Sequence, residues 1–348
     1  MQRRLCGDSG LSVPILGIGC WSFGGGSYWG KQDQRDTDRV VATALERGCN
    51  YFDTAEVYND GESELALGRA LAGRRTAALV GTKVSPQNAT RVGLRNHCEA
   101  SLRRLGTEYI DLYMIHWPIN EVSLRHFTDD TAVTENPPDI QEAIEGIELL
   151  KKEGKIRHGG VSNFGPEQIG ELVGAGFSPA CNQLCYNLLS RAIEYEILRS
   201  CADNRIGVFT YMPLLQGLLT GSYRNIDDIH WQRTRTRHFR GDRQDSRHGE
   251  PGVEDLLTDT LSKLLRLAEE LGQPLRAIAL AWLMRNNEVC CTINGVRSIA
   301  QLEENIVAAE LELSSSTFEE LNVITDQLKE AMGSSPDYYE SQSQSRSF

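Results

Sequence analysis

Four residue types that cooperate in proton transfer recur at comparable places in this chain: Asp53, Tyr58, Lys83 and His116. Asp53 closes the short apolar run Tyr51–Phe52, and Tyr58 follows in a polar turn containing Asn59, Asp60 and Gly61. Lys83 ends the run ALVGTK, and His116 sits near the end of YIDLYMIHW. A free tyrosine has a pKa of about 10, too high for an efficient acid at neutral pH. A neighbouring ammonium stabilises the phenolate and lowers that pKa. A carboxylate paired to the ammonium keeps it charged and aimed. A histidine can hydrogen-bond the substrate oxygen or share the proton. Such a set donates a proton to a developing alkoxide, the service a carbonyl needs when it accepts hydride from a nicotinamide. Each member also has a structural reading: a buried capping Asp, a packed loop Tyr, a surface lysine.

What positions these residues is a regular alternation of apolar runs and helical spacings. Ile15–Gly19, Asn50–Thr54, Ala77–Thr82, YIDLYMIHW, IRHGGVS, CNQLCY, IGVFTY and VCCTI read as strands. Helical spacing separates them, as in Leu94, Cys98, Leu102 and Leu105, or Leu257, Leu261, Leu264, Ala268 and Leu271. About eight such units imply right-handed crossovers, a parallel sheet and a closed (β/α)₈ barrel. An open doubly wound sheet is the alternative, weakened because no GxGxxG follows the first strand. Residues 3–13 predict a short N-terminal hairpin. Residues 218–252, rich in Arg, His and Asp, form an insertion after strand seven. The barrel is expected over 1–331, and the polar stretch 332–348 is expected to be a disordered tail.

Barrel enzymes carry function at the C-terminal ends of their strands. Taken in order, those ends offer Asp53, Lys83, His116, Ser162 with Asn163, Asn182 with Gln183, and Tyr211. Ile110, Leu112, Met114 and His116 share one parity and therefore one face of their strand. The loop CWSFGGGSYWG brings Trp21, Phe23, Tyr28 and Trp29 together, an aromatic wall for a pocket or a cover for a barrel end.

The segments NYFDTAEVYNDGESE, VGTKVS, DLYMIHWP, GVSNF, NQLCYN and NGVRSIAQLEEN, in this order, resemble the aldo-keto reductase superfamily. The resemblance runs from about residue 15 to 310, nearest the branch with potassium-channel β-subunits and microbial NADP-linked reductases. It implies NADP(H) held across the C-terminal mouth of the barrel. By motif position it places the catalytic tetrad on Asp53, Tyr58, Lys83 and His116. It assigns Ser162, Asn163 and Gln183, beside Asp53, to the nicotinamide carboxamide and Tyr211 to stacking on its ring. Trp21 falls on the cofactor and substrate pocket, and Trp117 joins Tyr58 and His116 on the substrate side. Met212, Pro213, Leu214 and Gly217 approach the pyrophosphate, and Gly295, Arg297, Gln301, Glu304 and Asn305 the adenosine phosphate. Glu304 is expected to face the adenine amino group, since it would repel a phosphate. Relatives often carry serine and lysine where this chain has Met212 and Ser222; the arginines of residues 230–252, Arg233, Arg235, Arg237 and Arg240 among them, are expected to compensate. Bland readings stand beside these: Ser298 with Gln301 fits a helix capping box, and Tyr211 fits a core aromatic.

Composition excludes other classes. The 348-residue chain is 40% hydrophobic with a net charge of −12, so no basic field draws in nucleic acid. Its nine cysteines show no CxxC and no zinc spacing, and read as reduced core residues. No metal is expected. No apolar run reaches membrane length, and MQRRLCGDSGLSVP lacks an apolar signal core. These features predict a cytoplasmic protein, and the resemblance implies an enzyme acting on a small carbonyl substrate, with any self-association weak. An NADP-binding regulatory subunit of the channel β type is the second reading. A Schiff-base aldolase using Lys83 is the third, and leaves Tyr58 unexplained.

Overall fold

The structure, a computed structural model, describes residues 1–223 and 225–347. Ten strands are present: β1 (Arg3–Leu5), β2 (Ser12–Pro14), β3 (Leu16–Gly19), β4 (Tyr51–Asp53), β5 (Leu79–Val84), β6 (Ile110–Ile115), β7 (Ile156–Ser162), β8 (Cys181–Cys185), β9 (Gly207–Tyr211) and β10 (Val289–Gly295). β1 and β2 form an antiparallel hairpin, and β3 to β10 close into a parallel barrel in sequence order. The seam pairs β10 with β3, Thr292 opposite Leu16.

Helices wrap the barrel because each carries one apolar stripe. Gln34–Glu46 is capped by the Asp33 side chain and buries Val40, Val41 and Ala44. Arg91–Leu105 is capped by Thr90 and stopped by Gly106 in the left-handed region. Leu275–Arg285 is buried almost all round, Trp282 included.

Inside the barrel, side chains form layers. Tyr51, Leu112, Met114, Cys181, Phe209, Cys291 and Ile293 pack into one apolar layer, joined by Cys6, Leu11 and Val13 of the hairpin region. The hairpin region therefore plugs one end. Tyr51 fits because small neighbours give it room: a Cβ on Gly81 would lie 2.2 Å from its hydroxyl. Such large–small alternation fills a barrel core. Strand side chains repeat every two residues. The step above Tyr51 is Asp53, above Gly81 is Lys83, above Met114 is His116, and above Cys181 is Gln183. One step along the strands turns an apolar plug into a polar floor.

Three segments differ from the sequence reading. Within the loop after β6, short helices form at Glu121–Phe127 and Thr131–Glu135, capped by Asn120 and Asp130. An 18-residue helix, Ser315–Met332, follows the last strand–helix unit. The tail expected to be disordered instead packs across the barrel mouth, with Asp337, Tyr338 and Arg346 buried. Its hold is polar and aromatic, not periodic: Arg237 donates to the carbonyls of Met332 and Ser335 at 2.9 and 2.8 Å, and the Tyr338 hydroxyl accepts from the Ala192 amide. All nine cysteines are buried and free. No helix among the described residues is long and apolar enough to cross a membrane.

Candidate active site

The polar floor is a connected hydrogen-bond network. Lys83 Nζ donates to Asp53 Oδ2 at 2.7 Å, to the Thr54 carbonyl at 2.8 Å and to the Tyr58 hydroxyl at 3.4 Å. Gln183 Nε2 donates to the other Asp53 oxygen at 2.7 Å. Lys83 is fully buried, 0% exposed, and does not line the cavity above it. Burial acts to lower its pKa, but the Asp53 carboxylate and Tyr58 outweigh this and hold it above the ordinary lysine value. It is a locked ammonium.

Tyr58 is carried by a tight turn in which Asn59 and Asp60 adopt left-handed φ of 51° and 54°. Asn59 Nδ2 donates to the carbonyls of Trp21 and Phe23, tying this turn to the aromatic loop. Gly26 is required at that junction: its φ is 104°, and a Cβ would fall 2.4 Å from Asn59 Oδ1. Burial pushes the Tyr58 pKa above its ordinary value; Lys83 lowers it, as its charge requires, and Asp53 raises it again. The expected net depression is therefore overturned by desolvation. The phenol stays protonated at neutral pH.

His116 faces Tyr58 edge-on, with ring centroids 5.8 Å apart. Burial, then Lys83 and Arg346, push its pKa well down, so the imidazole is neutral. Its Nδ1 is buried without a partner among the described residues. Asn163 Nδ2 donates to the His116 carbonyl at 3.1 Å, and the Tyr211 hydroxyl donates to Asn163 Oδ1 at 2.7 Å. Ser162 Oγ donates to the Gln183 carbonyl.

A cavity of about 710 Å³ opens above this floor. Trp21, Asp53, Tyr58, His116, Trp117, Ser162, Asn163, Gln183 and Tyr211 all line it. Met212, Pro213, Leu214, Gly217, Gly295, Arg297, Gln301 and Asn305 continue the lining away from the floor. Glu304 does not: it forms an ion pair with Arg276, which does line the cavity. Here Glu304 is a carboxylate paired to that arginine from outside the lining. Arg297 lines the cavity while its guanidinium donates to the carbonyls of Trp29 and Lys31 and to the Gln32 side chain, bracing the aromatic loop. Gln301 accepts from the Arg297 amide at 2.8 Å while its own amide is capped by Ser298, so Gln301 serves the helix start as well.

The insertion divides its four arginines. Arg233 and Arg235 line the cavity. Arg237 is buried and anchors the tail, and Arg240 pairs with Asp242 and Glu254 away from it. Sequence reasoning missed Arg276, Tyr339 and Arg346, all of which line the cavity, as does Arg247 of the insertion. Arg276 had a legible signal, a lone cation opening the apolar helix LRAIALAWLMR. The tail residues had none.

A dinucleotide suits this cavity. The polar Asn294 Nδ2 and Ser22 Oγ are buried there without partners among the described residues, and Gly217 and Gly295 leave their backbone approachable. Arginines at the far end provide anion contacts. No cluster of metal-binding side chains occurs among the described residues.

Comparison with known proteins agrees with this geometry. Residues 15–326 match the model of a family described as the aldo/keto reductase family. The methylglyoxal reductase YeaE of Escherichia coli (strain K12) is 31% identical over 320 residues, 91% of this chain and 93% of that protein. An NADH-specific methylglyoxal reductase of the same strain is 30% identical, covering 91% and 96%. A crystal structure of an aldo/keto reductase from Klebsiella pneumoniae, in complex with NADP and acetate, superposes with a TM-score of 0.68 at 26% identity, covering 93% of this chain and 96% of that one.

Proposed function

This chain belongs to the aldo/keto reductase family, and on that premise we propose that it reduces an aldehyde or ketone to an alcohol with NADPH, Tyr58 donating the proton. It is an NADP-dependent oxidoreductase by family. The observation that carries the finer reading is Lys83, held between Asp53 at 2.7 Å and the Tyr58 hydroxyl at 3.4 Å beneath the cavity floor.

When bound, the nicotinamide supplies a hydride to the carbonyl carbon. The chain's residues handle the oxygen. The Tyr58 phenol, protonated because it is buried, gives its proton to the oxygen as alkoxide character develops. The phenolate left behind is met by the Lys83 ammonium, which Asp53 and the Thr54 carbonyl hold in place. Neutral His116 donates a hydrogen bond to the same oxygen, not a proton. Ser162, Asn163 and Gln183 hold the carboxamide, and Tyr211 covers the ring. Trp21 and Trp117 exclude water. Arg276, Arg297 and Asn305 take the adenosine phosphate, with Arg233 and Arg235 toward the pyrophosphate.

The aldolase reading is disfavoured by the same geometry. A Schiff base needs an accessible neutral amine, whereas Lys83 is fully buried and held charged. The test is consumption of NADPH, followed by absorbance, against a panel of aldehydes and ketones that includes 2-oxoaldehydes such as methylglyoxal. NADH is run in parallel, given the NADH-specific relative. Tight cofactor binding with no turnover on any member would overturn the reductase reading.

A further inference from the structure

The wall facing His116 is not built from strand ends. It comes from the helix Glu121–Phe127, the insertion and the last described residues of the chain. Phe127 lies 6.3 Å from His116, ring to ring. Trp117 carries the Arg346 guanidinium over its face, 3.7 Å from the ring centroid. Arg346 is buried, and its Nε and Nη2 donate to Asp337 at 2.7 and 2.8 Å. Its backbone carbonyl accepts from Asn120 Nδ2 at 2.9 Å, so the residue is fixed at both ends. The remaining corner, Nη1, has no hydrogen-bond partner among the described residues and belongs to a side chain that lines the cavity. Arg247 stands near it, paired with Glu340 at 2.8 Å and lying over the Tyr339 ring.

The charge balance of the lining is one-sided. Six arginines and two aspartates line the cavity, and one of the two, Asp53, is already engaged by Lys83 and Gln183. The acids that pair with Arg346, Arg247 and Arg276, namely Asp337, Glu340 and Glu304, do not line it. Carboxylates stand behind and guanidinium faces look in. Arg276 sits with Gln301 and Asn305, and the cofactor phosphates account for that end. Arg346 stands at the catalytic end, over Trp117, and Arg247 stands between His126 and the Tyr339 ring, whose other neighbour is Arg235.

We propose that the carbonyl substrate carries an anionic group, a carboxylate or a phosphate, held by Arg346 together with Arg247. The proposal rests on the reductase reading and names its substrate class. A planar guanidinium held on one edge by a carboxylate still offers donors along another, in the fork geometry that suits both anions. Asp337 and Trp117 have already ordered the side chain, so little freedom is lost when an anion arrives. A neutral substrate would leave Nη1 facing a desolvated surface with no acceptor.

The experiment compares matched pairs at saturating NADPH: 4-carboxybenzaldehyde with its methyl ester, and glyceraldehyde 3-phosphate with glyceraldehyde. We expect kcat/KM to favour the anion by at least about tenfold in one pair, the size of one charged hydrogen bond. The pair that shows it tells carboxylate from phosphate. No preference in either pair overturns the proposal. The double variant Arg346→Gln, Asp337→Asn removes both buried charges together and avoids stranding one. Arg247→Gln, at a half-exposed side chain, serves if the double variant does not fold. Each should reduce the preference at least about fivefold through the KM of the anion, with NADPH affinity unchanged. A retained preference in a folded variant overturns the proposal. Calorimetry of 4-(hydroxymethyl)benzoate, its methyl ester and glycerol 3-phosphate binding to the NADP⁺ complex reads the site without turnover. Neither anion binding better than the neutral ester defeats the anion site even if both aldehydes are reduced. Tighter anion binding with no reduction of any aldehyde upholds the site and defeats the reductase reading.

Discussion

The two ends of the cavity are built by different means. At the catalytic end, Asp53, Lys83, His116 and Gln183 stand on strand ends, one two-residue step above an apolar layer. Lys83 and Asp53 are locked to each other and to their neighbours. At the other end, Arg276, Gln301 and Asn305 stand on helices and Arg297 on the loop before one of them, and Arg297 is committed to bracing the aromatic loop. On the proposed function, the first end serves one oxygen atom and gains from rigidity. The second must admit and release a long charged molecule, and its arginines carry partners that an anion can replace. Perturbing the first end should therefore cost turnover, and perturbing the second should cost affinity.

Lys83→Met breaks the catalytic end most severely. Asp53 is left buried beside Gln183 with its cation gone, a loss of about 3–5 kcal/mol in stability. Turnover should fall with it, because the phenolate loses its counter-ion. Urea titration of the variant and wild type measures the first effect, and an unchanged midpoint would mean that Asp53 is not charged in the fold. Tyr58→Phe separates chemistry from stability. The ring stays and the hydroxyl goes, so kcat should drop by at least about 10²-fold while NADPH affinity barely moves. A near wild-type kcat, with chemistry rate-limiting, would remove Tyr58 from the role.

Arg297→Ala probes the other end. NADPH binding should weaken by roughly 10- to 100-fold, the loss of a charged hydrogen bond, and NADH binding should hold. Because Arg297 also braces the carbonyls of Trp29 and Lys31, the KM for the carbonyl should rise as well. Fluorescence titration of both cofactors decides. An unchanged preference would mean that the guanidinium is wholly a loop brace, with Arg276 alone left to select the phosphate.

The smallest effect near neutrality is the pH profile. Tyr58 has its pKa raised by burial, and reduction uses the protonated phenol. Reduction at saturating substrate should then be flat through neutral pH and fall as pH rises through that raised value, beyond about 10. Oxidation of the alcohol uses the phenolate and should climb with pH over the same range. His116, neutral because its pKa is pushed well down, should add no limb near pH 6.5, its ordinary value. A reduction limb centred below about pH 9 would contradict the buried phenol.

The catalytic end was legible because strand periodicity carries it. Apolar runs mark the strands, and a polar residue one step past the run is placed at the mouth by the barrel itself: Asp53 after Tyr51, Lys83 after Gly81, Gln183 after Cys181. The family motifs fall on these same positions. The tail was misread because its ordering rests on scattered long-range partners: the buried Asp337–Arg346 pair, Arg237 on the carbonyls of Met332 and Ser335, Asn120 on the Arg346 carbonyl, and stacked rings. None of these leaves a pattern in a stretch rich in serine. Glu304 was placed near the adenosine by motif position and turned toward the adenine on charge; its partner Arg276 lies on the preceding helix, where only the three-dimensional packing brings the two together.

The seam between β3 and β10 sets how this protein must fold. Residues 16–19 have β4 on one side but gain their second neighbour only when 292–295 arrive from the far end of the barrel sequence. Closing so long a loop costs chain entropy before any contact repays it. The cylinder cannot close until nearly all of its strands exist, so assembly is expected to be slow and its last step concerted. During that wait β3 and β10 expose unpaired edges, and a chaperone or a low concentration should improve the yield on refolding.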